Sequence, residues 1–197
     1  VKERDAIMKR SLGPKPVAYP LPVFVVGTYC PDGKADAMVA AWGGICASEP
    51  PSISVTINKN HQTFHNLEAR QAFTVSIPSW PYLEETDYCG MVSGRDHDKF
   101  AETGLSAVRA GTVDAPYIGE FPVVLECRVS AMHPMGTGIQ VIGEILDVKV
   151  DEEVLGDDKK PVLQKIGAFG FDVTRMEYYS LGTVIGKAWD AGRKFMG

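Results

Sequence analysis

Apolar residues in this chain fall in short runs separated by Pro-, Gly- and Asp-rich breaks, the pattern of strands joined by turns rather than of long helical stripes. A short charged helix is expected at about residues 2–11. The stretch holding Pro14, Pro16, Pro20 and Pro22 then denies helix and feeds the first apolar run, Val23-Phe24-Val25-Val26-Gly27-Thr28-Tyr29. Cys30-Pro31-Asp32-Gly33-Lys34 has the chemistry of a tight turn, so Ala37-Met38-Val39-Ala40-Ala41-Trp42 should return antiparallel to that run. Further strands are predicted at 53–57 and 73–77, with a short helix beginning near Phe64 between them and Pro78 closing the second.

A polar, loop-rich insertion follows. From Val123 the alternation is strict: Val123, Leu125, Cys127, Val129 and Ala131 share one face, while Glu126, Arg128 and Ser130 share the other and read as solvent-facing. The run 139–150 changes apolar phase near Ile145-Leu146, as an inserted bulge residue would make it do. Pro134-Met135-Gly136-Thr137-Gly138 joins the two as a hairpin loop, and its Gly-x-Gly opens no helix, which argues against a dinucleotide fold. Residues 187–195 suggest a terminal helix with apolar contacts at Ala188, Trp189, Ala191 and Phe195. The expected architecture is mainly β: a single domain over 1–197, built as a Greek-key barrel of six or so strands with helices between and around them.

Composition narrows the function classes. With 197 residues, 45% of them hydrophobic, the chain is long enough for a real core. A net charge of −5 gives no broad positive footprint for nucleic acid, so an anionic ligand would have to be held by local groups. Cys30, Cys46, Cys89 and Cys127 stand far apart without metal-ligand spacing, and reduced, mostly buried thiols are expected. A charged start and the lack of any membrane-length apolar run suggest a soluble cytoplasmic protein, with no membrane partner and no bound metal.

The densest chemistry lies where the strand at 53–57 runs into Asn58-Lys59-Asn60-His61-Gln62-Thr63 and then into a helix. The first N–H groups of a helix have no internal acceptors and sit at the positive end of its dipole, so a turn carrying amide, hydroxyl, Lys and His groups at that point suits a phosphate. The ordinary alternative is that Thr63 caps the helix while Asn58 and Asn60 shape a turn. His61 and His65 have zincin spacing without the required Glu, and Gly90-Met91-Val92-Ser93-Gly94 misplaces its Ser for a hydrolase elbow. Ser93-Gly94-Arg95-Asp96-His97-Asp98-Lys99-Phe100 is rich in functional groups, and Asp96 is expected to cap a short helix that turns Lys99 inward, although such clusters are usually solvated surface. Trp42 would normally be core, but the small residues of Gly43-Gly44-Ile45-Cys46-Ala47-Ser48 leave room beside it for a flat ligand and expose backbone groups to that ligand's edge.

Taken in order, Val26-Gly27-Thr28, the Asp32-Gly33-Lys34 turn, Met38 to Trp42, Pro50-Pro51 leading to Asn60-His61-Gln62-Thr63, Ser93 to Asp96 and Asp98-Lys99-Phe100 resemble the flavin reductase-like FMN-binding family, with its split β-barrel, in its flavoredoxin-like branch. The likeness runs from about Pro20 to Lys194. It implies an FMN phosphate held by Lys59, Asn60, His61 and Thr63, with Asn58 beside them among the cofactor-binding residues, and an isoalloxazine ring lined by Ala40, Ala41, Cys46, Ala47 and Ser48 with Trp42 flanking it. Lys99, His133 and Phe169 match positions beside the flavin, with Lys99 stabilising the charge of its reduced form and Lys99 and His133 the catalytic candidates. Members often carry Asn in place of Asp36 and Arg in place of His61.

The function so implied is redox: NADH, NADPH or a protein donor passes electrons through FMN to an acceptor, in an electron carrier or a flavin oxidoreductase. The family's usual homodimer, with flavin near the subunit contact, is implied as well. The alternative is a non-catalytic barrel holding another phosphate-bearing planar ligand.

Overall fold

The computed structural model describes residues 8–196. Strands β1 (Leu21–Pro22), β2 (Phe24–Tyr29), β3 (Ala35–Ala40), β4 (Gly43–Ser48) and β5 (Pro51–Asn58) lead into helix α1 (Gln62–Arg70) and strand β6 (Ala72–Ile77). The insertion holds α2 (Leu83–Met91), α3 (Lys99–Thr103), β7 (Ala107–Arg109) and β8 (Pro116–Ile118). Then come the long strands β9 (Val123–Met135) and β10 (Gly138–Val150), the short α4 (Leu163–Ile166), β11 (Phe169–Asp172) and β12 (Glu177–Ser180). The principal sheet has seven strands in the order β3-β2-β6-β9-β10-β5-β4, antiparallel at every pairing.

That sheet curls until its two ends share one interior. Val26 of β2, Met38 and Ala40 of β3, Val55 and Ile57 of β5, Phe73 and Val75 of β6, Leu125 and Cys127 of β9 and Val141 of β10 pack in a single buried cluster, with Leu67 of α1 inserted among them. The period-2 alternation of β2 and β3 puts the intervening Val25 and Ala37 on the outer face, where Cys89, Leu105, Ile118 and Phe121 of the insertion cover them. The split β-barrel is therefore packed on both sides of its first hairpin. The curling is assisted where β10 shifts register against β9 between Ile142 and Gly143 and again around Leu146, the second being the bulge its sequence predicts. At Gly143 a Cβ would run into the ring of buried Phe73, so the sheet closes over that ring only with glycine there.

Four expectations change. The first-helix segment 2–11 lies mostly outside the described residues, and 8–11 carry no regular structure. The 134–138 loop shrinks to a turn at Gly136-Thr137, because β9 runs on to Met135 and Gly136 takes φ +58°. Glu126 is fully buried rather than solvent-facing, since the 107–116 segment folds over it and supplies hydrogen bonds. Residues 187–195 form turns and one 3-10 turn at Arg193–Phe195 instead of a helix, with Trp189 and Phe195 exposed and no surface of the described residues covering them. No described helix is long and apolar enough to cross a membrane.

Helix α1 is locked by polar contacts that fix where its N-terminus points. Asn66, wholly buried, donates to Thr28 Oγ1 at 2.9 Å and accepts from Gln62. Arg70 donates to the carbonyl of Cys30 at 2.9 Å and pairs with Asp114. The helix ends at Gln71, whose left-handed φ of 54° returns its N–H to the Leu67 carbonyl and turns the chain directly into β6.

Candidate functional site

A cleft of about 720 Å³ opens where the end of β3, the β5–α1 turn, the β9–β10 turn, α2 and the β11–β12 hairpin meet. Met38, Val39, Ala40, Ala41 and Trp42 form one wall; Thr56, Asn58 and His61 the next; Met135, Thr137 and Gly138 close one end. Opposite stand Asp87, Gly90 and Met91 of α2 with Phe171, Met176 and Tyr178. Most of the surface is apolar and thioether-rich, with polar side chains at Thr56, Asn58 and His61, at Thr137, and at Asp87 and Tyr178. Tyr178 donates to Asp87 at 2.7 Å; burial pushes its phenol up and the Asp87 carboxylate adds to the shift, so it stays a neutral donor.

A second recess of about 200 Å³ adjoins the first through Met38, His61, Gly90 and Met91 and is lined further by Asp36, Gln62, Thr63, Cys89, Ser93, Gly94 and Lys99. This is the anion-suited end. His61 is the N-cap of α1 and makes no side-chain cap bond; the Phe64 N–H reaches the His61 carbonyl at 3.1 Å, which leaves the N–H groups of Gln62 and Thr63 for a ligand at the recess. Thr63 sits inside the first turn, buried, rather than at the cap.

His61 Nδ1 lies 2.9 Å from the Met38 sulfur. Burial lowers the His61 pKa below its usual value, and the positive charges of Lys99 and Arg95 lower it further, so the imidazole is neutral near pH 7. The positive charges acting on His61 are thus Lys99 and Arg95, with the Asp36 carboxylate opposing them. Arg95 was not singled out in the sequence. Its signal was the crowded Ser93-to-Lys99 stretch, and the structure shows it donating to the Asn60 carbonyl at 2.7 Å, which ties that loop to the β5–α1 turn.

Lys99 is turned inward as expected, but by a helix capped at Asp98, whose Oδ1 accepts from Ala101 N at 3.2 Å, not at Asp96. Its ammonium donates to the carbonyls of Ala37 (2.5 Å) and Cys89 (3.1 Å) and lies 3.3 Å from Asp36 Oδ1, with both side chains 3% exposed. Two of its protons go to carbonyls and the Asp36 carboxylate lies beside it, so it acts on the recess mainly as a fixed charge through space. Gly94 packs so tightly on the Asp36 carboxylate that a Cβ there would overlap it. Asp36 thus holds the loop and Lys99 together and does not face the cleft as a flavin-edge group.

The other sequence candidates divide. Ala40, Ala41, Trp42, Asn58 and His61 line the cleft; Thr63 and Lys99 line the recess. Lys59 and Asn60 lie on the turn between them, Lys59 bridging by its N–H toward the Thr137 carbonyl and Asn60 N bonding Asn58 Oδ1 at 2.9 Å. Cys46, Ala47 and Ser48 fall outside both cavities, on the β4 edge, where a bulge puts Cys46 between the paired Ile45 and Ala47 and leaves it exposed. His133 is exposed, opposite Gln140, on the same face of β9 as the cleft-lining Met135 but two residues farther along. Phe169 is buried behind the wall, its ring edge-on to Tyr178 at 5.5 Å. Burial pushes the Cys89 thiol up to about 11, which keeps the cysteine nearest the recess protonated and inert.

The family described as flavin reductase like domain matches residues 17–169. Among solved structures, flavoredoxin of Desulfovibrio vulgaris superposes with a TM-score of 0.91 at 46% identity, covering 94% of this chain and 100% of that one. Flavoredoxin from Methanosarcina acetivorans gives 0.90 at 29% identity, with 96% and 100% covered. The uncharacterized protein YddH of Escherichia coli is 30% identical over 150 residues, 70% of this chain and 78% of its own length. With its split barrel and its cleft at the first hairpin, the chain belongs to the flavin reductase-like domain family.

Proposed function

We propose that the chain is an FMN-binding redox protein, a flavoredoxin-like electron carrier that takes electrons from a small-molecule or protein donor and passes them to an acceptor. One observation carries this reading: an apolar cleft of about 720 Å³, lined by Ala40, Ala41 and Trp42, adjoins through Met38, His61, Gly90 and Met91 a recess where the α1 N-terminus, Lys99 and the Arg95 loop converge. The two halves match the two ends of a flavin nucleotide. The 46% identity to a flavoredoxin supports the carrier over a flavin-releasing reductase.

FMN, when bound, supplies one- and two-electron chemistry that no side chain here offers. The chain's residues do the rest. Asn58, Lys59, Asn60, His61 and Thr63 would hold the phosphate with the first N–H groups of α1. Trp42 would flank the ring, and the backbone of Ala40 and Ala41 would meet its edge. Met38, Met91, Met135, Met176 and Phe171 would pack around a bound ring and exclude water from its faces, which would lengthen the reach of the Lys99 charge. His133 and the Cys46-to-Ser48 edge would bear on the ring from beside the cleft, and Phe169 would stiffen Tyr178. Free thiols at all four cysteines suit a reducing, cytoplasmic setting. A homodimer would bring the exposed β4 edge and cleft mouth under a second copy.

Absorption spectroscopy tests the reading at once. Flavin bands on purified protein, or their appearance as a bound species when apo-protein is titrated with FMN, are expected; protein that stays colourless in excess FMN refutes it. Anaerobic mixing with NADH or NADPH then tests the donor, rapid bleaching naming a reduced nicotinamide, and gel filtration of the reduced sample separates the roles: a carrier keeps its flavin, whereas a flavin reductase releases it.

Arg95→Gln removes one of the two cations acting on His61 and frees the Asn60 carbonyl. FMN affinity is expected to fall roughly tenfold, the size of one lost charge-assisted interaction. Fluorescence titration at constant salt reads it, and an unchanged dissociation constant would remove Arg95 from the phosphate site.

A further inference from the structure

We infer that residues 181–196 form an arm that lies over the rim of the cleft in a second copy of this chain, so that each copy completes the other's site. The inference rests on the flavin cleft and homodimer proposed above and goes further by naming the segment that crosses and the surface that receives it.

Past Leu181 the large side chains of the arm stand clear of the described residues of their own chain. Val184, Ile185, Trp189, Phe195 and Met196 are all at least three-quarters exposed, Ile185 fully and Trp189 at 94%. The hydrogen bonds of its backbone from Lys187 to Met196 are local turns within the segment. Trp189 holds φ +58°, a left-handed conformation costly for a bulky residue and maintained only where surroundings fix it. A monomer rarely keeps such a row of large apolar side chains in water.

Three features point to a second copy as the occupant. These five side chains offer roughly 800 Å² of mostly apolar surface, about what each partner of a standard interface buries, and a two-fold exchange would double it. Lys187, Arg193 and Lys194 against the single Asp190 give the arm a net charge of +2, so the remainder of the −5 chain carries −7 and attracts it. The receiving surface is apolar and unpartnered too: Trp42, Ile45, Met91, Met135 and Met176 are exposed around the cleft mouth and the adjoining β4 edge, and flexible thioethers adapt to an incoming aromatic. Reach is sufficient, since an extended segment of this length spans roughly 50 Å against a radius of gyration of about 16 Å for a compact chain of this size.

The test uses the full chain. Sedimentation should show a dimer, and the double variant Ile185→Asp with Trp189→Asp should dissociate at least tenfold more readily, while its melting temperature as a monomer matches the parent because neither side chain touches its own subunit. A Trp189→benzoylphenylalanine variant, irradiated in a mixture of isotopically light and heavy copies, should cross-link between copies, at peptides carrying Met91, Met135 or Met176. A monomeric parent, a double variant that dimerises as tightly, or cross-links confined to one chain or mapping away from the cleft rim would overturn the proposal. FMN titration of the same samples is read separately: cross-links as expected without flavin binding would retire the flavin assignment and leave the arm in place.

Discussion

Replacing Lys99 by Met is expected to lower the unfolding free energy by about 3–5 kcal/mol, the range for stripping one partner from a buried ion pair. The Asp36 carboxylate, 3% exposed, would keep its charge with Gly94 pressed against it, and the Ala37 and Cys89 carbonyls would lose their donor. In urea the midpoint should fall by roughly 1–2 M, given a slope of about 3 kcal/mol/M, the upper end of the usual range, for a chain of this size. Adding Asp36→Asn to Lys99→Met should return a large part of the loss, because the pair then vanishes together and no charge is left stranded. A single variant as stable as the parent would mean that the carboxylate does not depend on Lys99. The consequence for function is direct: slow electron transfer in Lys99→Met would mix a lost field with a loosened recess. Asp36→Asn alone would in turn strand the equally buried Lys99 ammonium, so the double variant, which strands no charge, is the cleaner probe of the lost field.

The parts of this molecule that were legible in sequence are those decided by near neighbours. The Pro-Asp-Gly turn gave the β2–β3 hairpin, with Cys30 N bonding the Lys34 carbonyl and Gly33 at φ +91°. Strand, polar turn and helix from Ile53 to Arg70 followed from alternation and helix-end chemistry, and the phase change at Ile145-Leu146 marked a real bulge. What was hidden depends on partners far along the chain. Glu126 alternates as a solvent-facing residue, yet residues 107–116 fold over it. Asp36 resembles a ligand-edge residue until Lys99 arrives from 63 positions away. The same holds for Cys46 to Ser48, whose small side chains suggest a cleft floor, while pairing of β4 with β5 carries them to the sheet edge. Residues 187–195 have a helical apolar pattern but no surface among the described residues to receive it, and amphipathicity without a partner does not sustain a helix.

Glu126→Gln is expected to cost about 2–3 kcal/mol at neutral pH and to do so without touching FMN binding. Glu126 lies on the side of β9 covered by the insertion and appears in neither the cleft nor the recess. Burial alone would push its carboxyl up. Hydrogen bonds from Lys149, from the Thr112 hydroxyl (2.6 Å) and from the N–H groups of Gly111 (3.0 Å) and Thr112 (2.6 Å) outweigh that and hold it down to about 2. The folded pKa is thus depressed below the ordinary 4.5, which means the unfolded chain binds the proton more readily. Stability from this group is fully present above about pH 4.5 and drains away as pH falls toward about 2. A shift of that size corresponds to about 3 kcal/mol at 1.36 kcal/mol per unit. The glutamine variant, which cannot titrate and presents an amide where Lys149 and two N–H groups expect a carboxylate, should therefore be less stable at pH 7 and show a flatter acid limb. Urea midpoints taken every half unit from pH 7 to pH 2.5 would display both. Curves for parent and variant that stay parallel down to pH 2.5 would show that Glu126 is not the group whose protonation loosens the insertion from the barrel.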